Sequence, residues 1–159
     1  MGALHGLPIA VKDIIGTLDM PTECGTVFRK KMPSSQDSEI VNLLKTAGAI
    51  IMGKTVTCEL AYIHPSKTTN PHDYSRTPGG SSSGSAAVIA SHMAHLSIGS
   101  QTGGSIIRPA SYCGVVGYKP SYGLISRSGV LKTSEKLDTI GVFGKTVKDV
   151  ALLAKSLIK

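Results

Sequence analysis

An α/β fold is predicted by three neighbouring features of the chain. A short apolar run ends at Lys12, an amphipathic stretch follows between 37 and 48, and a second apolar run comes directly after it. Strand, helix and strand in that order are the unit from which α/β layers are built. Leu7-Pro8-Ile9-Ala10-Val11 reads as a buried strand that delivers Lys12-Asp13 at its end. Residues 16–36, with Gly16, Pro21, Gly25 and Pro33, read as loop. Asp37 is placed to cap a helix whose apolar residues Ile40, Leu43, Leu44 and Ala47 follow the i, i+3, i+4, i+7 pattern, and Gly48 ends it. Ala49-Ile50-Ile51-Met52 is the second strand. A Pro- and Asn-rich loop spans 64–80, a helix is predicted from Ser83 to Ser91, and Leu96-Ser97-Ile98 is a short strand. Ser105 opens a brief helical turn that Pro109 should stop, and Val115 to Tyr118 is a further strand. Thr146 and Asp149 form a capping box for a last helix with the stripe Val147, Val150, Ala151, Ala154 and Leu157. No repeat and no linker interrupts the 159 residues, which are one domain's worth of chain.

The chemistry concentrates between Thr77 and Pro120. Two Gly-Gly-Ser turns lie there, Gly79-Gly80-Ser81 and Gly103-Gly104-Ser105, separated by the apolar run Ala86 to Ile98. Glycine pairs permit backbone conformations that a Cβ forbids, and they leave N–H groups bare. Several bare donors around one hydroxyl supply what acyl transfer needs, a nucleophile beside an oxyanion site. Two such turns and a lysine would make a Ser–Ser–Lys site.

Composition excludes several other classes. The formal charge is +7, yet the basic residues are scattered and Arg29-Lys30-Lys31 is the one tight group. Trp is absent and aromatics are few, so no stacking platform for nucleic acid is visible. No apolar run approaches about 18 residues, so no membrane span is expected. Cys24, Cys58 and Cys113 contain no CxxC pattern; a reducing, cytoplasmic setting is the simplest reading.

Four motif matches fail on physical grounds. Gly48 to Thr55 fits G-x4-G-K-T, but its four intervening residues are apolar and read as a buried strand, and a helix precedes it. Gly80-Ser81-Ser82-Ser83-Gly84 fits G-x-S-x-G. After Ser82 the only histidines are His92 and His95, and no acid precedes them, so an ordered Ser–Asp–His triad cannot be assembled. His92 and His95 themselves lack a thiol or carboxylate partner for zinc. Ser156 to Lys159 has S-x-x-K spacing but sits at the end of the last helix. Cys113, within an apolar run, reads as a buried structural thiol.

Several segments together resemble the amidase signature family. They are Gly6 to Asp13, Pro78 to Ala87, Gly99 to Pro109, Cys113 to Gly123, Leu137-Asp138-Thr139-Ile140-Gly141 and the Thr146 helix. The resemblance implies a three-layer α/β/α core with a mixed β-sheet. It implies Ser105 as nucleophile, Ser81 as the bridging serine on a cis peptide bond, and Lys12 as the base that activates the pair. It further implies the backbone N–H groups of Thr102, Gly103, Gly104 and Ser105 as oxyanion donors, with Ser82 and Arg108 in support. The reaction implied is hydrolysis of a carboxamide through an acyl-enzyme, on a small-molecule substrate, with no metal or organic cofactor. A lysine with an ordinary pKa near ~10.4 is a poor base when solvated, so burial must hold Lys12 neutral for this to work.

The chain departs from the family pattern at two positions and in length. Gln101 stands where many relatives carry aspartate, and Arg108 is third after the nucleophile rather than second, behind Ile107. Family members are considerably longer, so residues 1–159 are expected to be a partial domain, the N-terminal half of the catalytic core. Strand edges exposed by such truncation would favour a homodimer. Thr57-Cys58-Glu59-Leu60-Ala61-Tyr62-Ile63-His64-Pro65 looks more like the free-standing amidases. Two alternatives stand beside that reading: the glutamine-hydrolysing A-type subunit of an aminoacyl-tRNA amidotransferase, and a folded but non-catalytic remnant.

Overall fold

The structure, a computed structural model, describes residues 2–158. Nine elements follow one another among them: β1 (Pro8–Lys12), α1 (Glu39–Thr46), β2 (Ile50–Thr55), α2 (Ser83–Ala90), β3 (Leu96–Gln101), α3 (Ile107–Tyr112), β4 (Val116–Tyr118), β5 (Thr139–Gly144) and α4 (Val147–Lys155). Two single-turn 3-10 segments, Val27–Arg29 and Glu59–Ala61, sit in the long loops. The strands form one mixed sheet in the order β2-β1-β3-β5-β4. β1 runs parallel to both β2 and β3, whereas β5 is antiparallel to β3 and β4.

Alternation along the strands sorts the core into two faces. Ile9 and Val11 of β1, Leu96 and Ile98 of β3, and Val142 of β5 pack with Ile40 and Leu44 of α1 and Leu153 of α4. Ala10 and Phe143 point the other way, against Ala86 and Ile89 of α2 and Ala110 of α3. Helices therefore cover both faces, giving the three-layer α/β/α arrangement. Lys12 shares the parity of Ala10 and so emerges on the α2 side, at the C-terminal end of β1. Gly99 lets α2 approach: a Cβ there would lie 2.7 Å from Ser82 Oγ and 2.8 Å from Phe143 Cε2.

Several expectations need correction. Asp37 is not the cap of α1; Ser38 is, accepting from the Val41 N–H at 3.4 Å. Asp37 instead accepts from the Leu18 N–H at 2.8 Å and pairs with Lys45 at 2.6 Å, because it lies one residue too early to reach the first turn. Pro109 does not stop the helical turn after Ser105. It occupies the first turn of α3, where a missing N–H costs no intrahelical bond. β5 has no counterpart among the expected strands, since Gly141 and Gly144 dilute its apolar character, yet it is buried throughout and lies inside the sheet. The Thr146–Asp149 capping box of α4 is present as expected. Of the Ser156–Lys159 match, Lys159 lies outside the described residues. No helix among them is long and apolar enough to cross a membrane.

Candidate active site

The C-terminal ends of the parallel strands β1 and β3 set the site. Lys12, the last residue of β1, is fully buried. Its Nζ lies 2.7 Å from Ser81 Oγ and 2.9 Å from Ser100 Oγ. Desolvation by burial is the main influence on this ammonium, pulling its pKa from 10.5 down to about 7, against the opposing pull of Cys58 and Asp138. The side chain is thus poised between base and acid at neutral pH.

Ser81 reaches Lys12 because the chain before α2 is clamped on several sides. The Gly80–Ser81 peptide bond is cis, and Gly79 precedes it at φ +77°, a conformation that favours glycine. The Ser81 carbonyl accepts from Thr57 Oγ1–H at 3.1 Å and from the Cys58 N–H at 3.1 Å. The Gly80 carbonyl accepts from both Nε (3.1 Å) and Nη2 (2.7 Å) of Arg108. Ser82 donates to the Ser100 carbonyl at 3.0 Å and accepts from the Ser100 N–H at 3.3 Å, which ties the turn to β3. Arg108 and Ser82 therefore both hold the Gly80–Ser81 turn.

Ser105 lies in the loop between β3 and α3 and is 9% exposed. Its hydroxyl makes no hydrogen bond among the described residues, and no bond joins it to Ser81 Oγ. Thr26 Oγ1 is the one described side-chain polar atom both sealed from solvent and unpaired. The Ser105 hydroxyl consequently retains access to solvent. The N–H groups of Thr102, Gly103, Gly104 and Ser105 likewise donate to no acceptor among the described residues. Gly103 and Gly104 do not adopt a left-handed backbone; their contribution is clearance, with nothing within 4 Å of a Cβ built on Gly103 and only Arg108 Cβ, at 3.9 Å, near one on Gly104. An unencumbered hydroxyl beside bare N–H donors can accept an incoming carbonyl group.

Ser100 and Thr57 were not picked out from the sequence. Ser100 could have been flagged as a polar residue near the end of a buried strand, whereas Thr57 carries no local signal. Asp138 is a third structural contributor. It accepts from Thr102 Oγ1 at 2.5 Å, from Thr133 Oγ1 and N–H at 2.7 Å each, and from the Ser134 N–H at 2.9 Å. Burial alone would raise its pKa, but the hydrogen bonds from Thr102, Ser134 and Thr133 together hold it below the ordinary value. Thr102 is thereby anchored at the start of the Ser105 loop.

Lys54 and Cys113, which chemical motifs could have claimed, hold structural positions instead. Gly53-Lys54-Thr55 lies within β2 rather than in a phosphate loop. Lys54 Nζ donates to Thr22 Oγ1 (2.7 Å), Ile15 O (2.8 Å), Thr17 Oγ1 (3.3 Å) and Pro21 O (3.3 Å), and sits 3.4 Å from Asp13 Oδ1. It fastens the segment that follows Lys12. Cys113 is buried, donates to the Pro78 carbonyl at 3.4 Å, and has its pKa pushed up to about 11 by burial, as suits an inert thiol. No group of three or more His, Cys, Asp or Glu among the described residues could hold a metal.

Beside the serine turn lies an open cleft of about 440 Å³, walled by Tyr62, Ile63 and Tyr112 and reaching Cys58, Gly80 and Arg108. Lys12, Ser81 and Ser105 do not line it; Gly80 and Arg108 connect it to them.

Comparison with known proteins gives a consistent picture. A family model described as Amidase matches residues 1–159. The chain is 48% identical, over 94% of its length, to the A-type subunit of the glutamyl-tRNA(Gln) amidotransferase of Sulfurihydrogenibium sp. (strain YO3AOP1), covering 32% of that protein. Among solved structures, an amidase family protein from Bacillus anthracis str. Ames superposes with a TM-score of 0.95 at 40% identity, over 99% of this chain and 34% of that one. The native peptide amidase from Stenotrophomonas maltophilia gives 0.94 at 35% identity, over 99% and 34%. The chain thus spans about a third of the length of the curated relatives it matches.

Proposed function

The chain belongs to the amidase family, and from that premise we propose that it carries the nucleophile and proton relay of an enzyme hydrolysing a carboxamide. The observation that carries this reading is the 2.7 Å contact between the fully buried Lys12 Nζ and Ser81 Oγ. With Nζ neutral, that contact runs from the Ser81 hydroxyl to the lysine lone pair. Lys12 takes the Ser81 proton as Ser81 takes the proton of Ser105, whose oxygen attacks the amide carbon. The N–H groups of Thr102 to Ser105 receive the negative oxygen. As the C–N bond breaks, Ser81 returns a proton to the departing nitrogen and recovers one from Lys12. Water, activated by the same relay, then attacks the acyl group, releasing the carboxylate and restoring Ser105. Side chains and water suffice for every step.

The 159 residues are taken as part of one catalytic domain, with the substrate a small-molecule amide. A cytoplasmic setting is supported by the free thiols of Cys24, Cys58 and Cys113. Labelling with an acyl-reactive fluorophosphonate tests the reading: the chain should form an adduct that Ser105→Ala abolishes and Lys12→Ala suppresses. Absence of a Ser105-dependent adduct would favour the non-catalytic remnant, and labelling unchanged in Lys12→Ala would remove Lys12 from the mechanism.

The identity to A-type amidotransferase subunits supports a second, narrower reading. In it the amide is that of glutamine, and the released ammonia is passed to a partner that amidates charged tRNA. Glutamine-dependent amidation of charged tRNA, reconstituted with partner subunits, separates the two: dependence on this chain would establish the amidotransferase role. Hydrolysis of simple amides without partners would favour the free-standing enzyme, to which the 57–65 segment points.

A further inference from the structure

We propose that Lys12 has a rear route to solvent: a small cavity behind Ser100 holds one water, and protons pass between the Lys12 amine and the surface through the Ser100 hydroxyl and that water. It rests on the reading of Lys12 as a base that gains and loses a proton. A fully buried amine exchanges protons with solvent only through its hydrogen-bond partners. Among the described residues Lys12 Nζ has two, Ser81 Oγ at 2.7 Å and Ser100 Oγ at 2.9 Å. In the relay proposed above Ser81 faces Ser105, on the side that substrate and acyl group occupy during reaction. Ser100 leads elsewhere. Its Oγ accepts from Lys12 and makes no other hydrogen bond among the described residues, so its own proton is free to be donated.

Ser100 stands opposite Ile140 in the β3–β5 pairing, and both line the cavity, with Val130 on its apolar wall. Asp138, Thr133 and Arg127 supply its polar side. Thr133 is exposed, so the cavity runs from the buried Ser100 to the surface. It offers about 10 Å³ of room for the centre of a water molecule, about the least that one water needs. Such a water has partners at both ends. The Ser100 O–H donates to it, and Thr133 Oγ1, whose own proton goes to Asp138 at 2.7 Å, keeps a lone pair to accept from it. Polar lining of this kind holds a water where an apolar void would stay dry. When Lys12 discharges, an ammonium proton moves from Nζ to Ser100 Oγ. The Ser100 hydroxyl proton moves to the cavity water, and that water releases one to bulk. One proton has left, Lys12 is neutral, and the hydroxyl and the water are both restored; the reverse order recharges the amine. The open cleft beside Gly80 and Arg108 shares no lining residue with this cavity. Lys12 can therefore reset its charge while the serine side is occupied.

The test is the exchange of the Lys12 ammonium protons with water, read by NMR on chain carrying isotope-labelled lysine. It is run without substrate at pH 6, where Lys12, with its pKa of about 7, is mostly charged. Val130→Ile extends a side chain into the cavity without touching Lys12, Ser100→Ala removes the rear hydroxyl, and Ser81→Ala removes the front one. The first two should slow exchange at least about tenfold, because exchange must then wait for local opening, whereas Ser81→Ala should stay within about threefold of the parent. Losing a hydrogen bond to the ammonium would by itself lower the Lys12 pKa and speed exchange, so slowing in Ser100→Ala reports the lost route. Parent-like exchange in either cavity variant, or slowing in Ser81→Ala equal to theirs, would overturn the proposal. Should Val130→Ile lose its folded spectrum, Ser100→Ala decides alone. If the parent forms no Ser105-dependent adduct, the acyl-enzyme reading falls by itself and the exchange rates still decide whether the rear route exists.

Discussion

Protonation of Lys12 should leave a thermodynamic signature that is independent of any substrate. Its folded pKa, about 7, lies below the 10.5 of an unburied lysine. Between those values the unfolded chain binds the extra proton and the folded chain does not, so stability rises with pH across that window. Below pH 7 both states are protonated and the cost of burying the ammonium is fully present; above pH 10.5 it is gone. At 1.36 kcal/mol per pH unit the whole effect is about 5 kcal/mol, an order-of-magnitude figure. Between pH 7 and pH 9 the same linkage amounts to about 2 kcal/mol. Urea denaturation of the parent and of Lys12→Met at both pH values isolates it, because every other titrating group is common to the two chains. The parent should gain about 2 kcal/mol on the variant from pH 7 to pH 9. Acylation of Ser105 should fall about tenfold per pH unit below 7, as neutral Lys12 is lost. A stability gap that does not move between pH 7 and pH 9 would mean that Lys12 is charged in the folded state at both, and the relay would have no base.

Other perturbations have equally definite expectations. Ser100→Ala removes one of the two hydroxyls at Lys12 Nζ; fluorophosphonate labelling should slow while the urea midpoint shifts by no more than about 1 kcal/mol. Gly99→Ala drives a Cβ to 2.7 Å from Ser82 Oγ, so a loss of about 1–3 kcal/mol by thermal melting should accompany loss of labelling. Thr146→Ala breaks the capping box of α4, far from the serines; it should cost about 1 kcal/mol and leave the labelling rate at pH 9 unchanged. Lys54→Met leaves Asp13 and a set of buried oxygens without their cation. It should destabilise by about 3 kcal/mol in urea, and calorimetry of the parent with ATP should give no binding heat.

What could be read ahead of the structure follows the range of the forces involved. β1 is declared by an apolar run that ends at Lys12, and α1 and α4 by apolar residues at helical spacing, so their positions were legible within a few residues. β5 was not, because its burial comes from neighbours on both sides rather than from its own Gly-containing sequence. Pro109 misled for a related reason: its effect depends on where in a helix it falls, and only the structure places it in the first turn. At the site, Lys12, Ser81 and Ser105 stand out through their turns and strand end. Thr57 and Ser100 act at separations of 24 and 88 residues along the chain, to Ser81 and Lys12 respectively, where no spacing rule reaches.

The same contacts separate activation from selection. Lys12 is fixed at the end of β1 and Ser100 within β3, while Ser81, in the turn before α2, is held by Thr57 and Cys58 at its carbonyl and tied to β3 through the neighbouring Ser82. The cleft beside them is another matter, with Tyr62 and Ile63 on its wall largely exposed, at 72% and 76%. A small electrophile that needs only an activated serine should therefore react with this chain by itself. An amide that must be held by a closed pocket needs walls the cleft does not supply, because orientation contributes as much to the rate as the nucleophile does. Fluorophosphonate labelling and amide turnover measured on the same sample should consequently diverge, the first strong and the second weak. Equal vigour in both would mean that the cleft formed by Tyr62, Tyr112 and Arg108 positions substrate unaided.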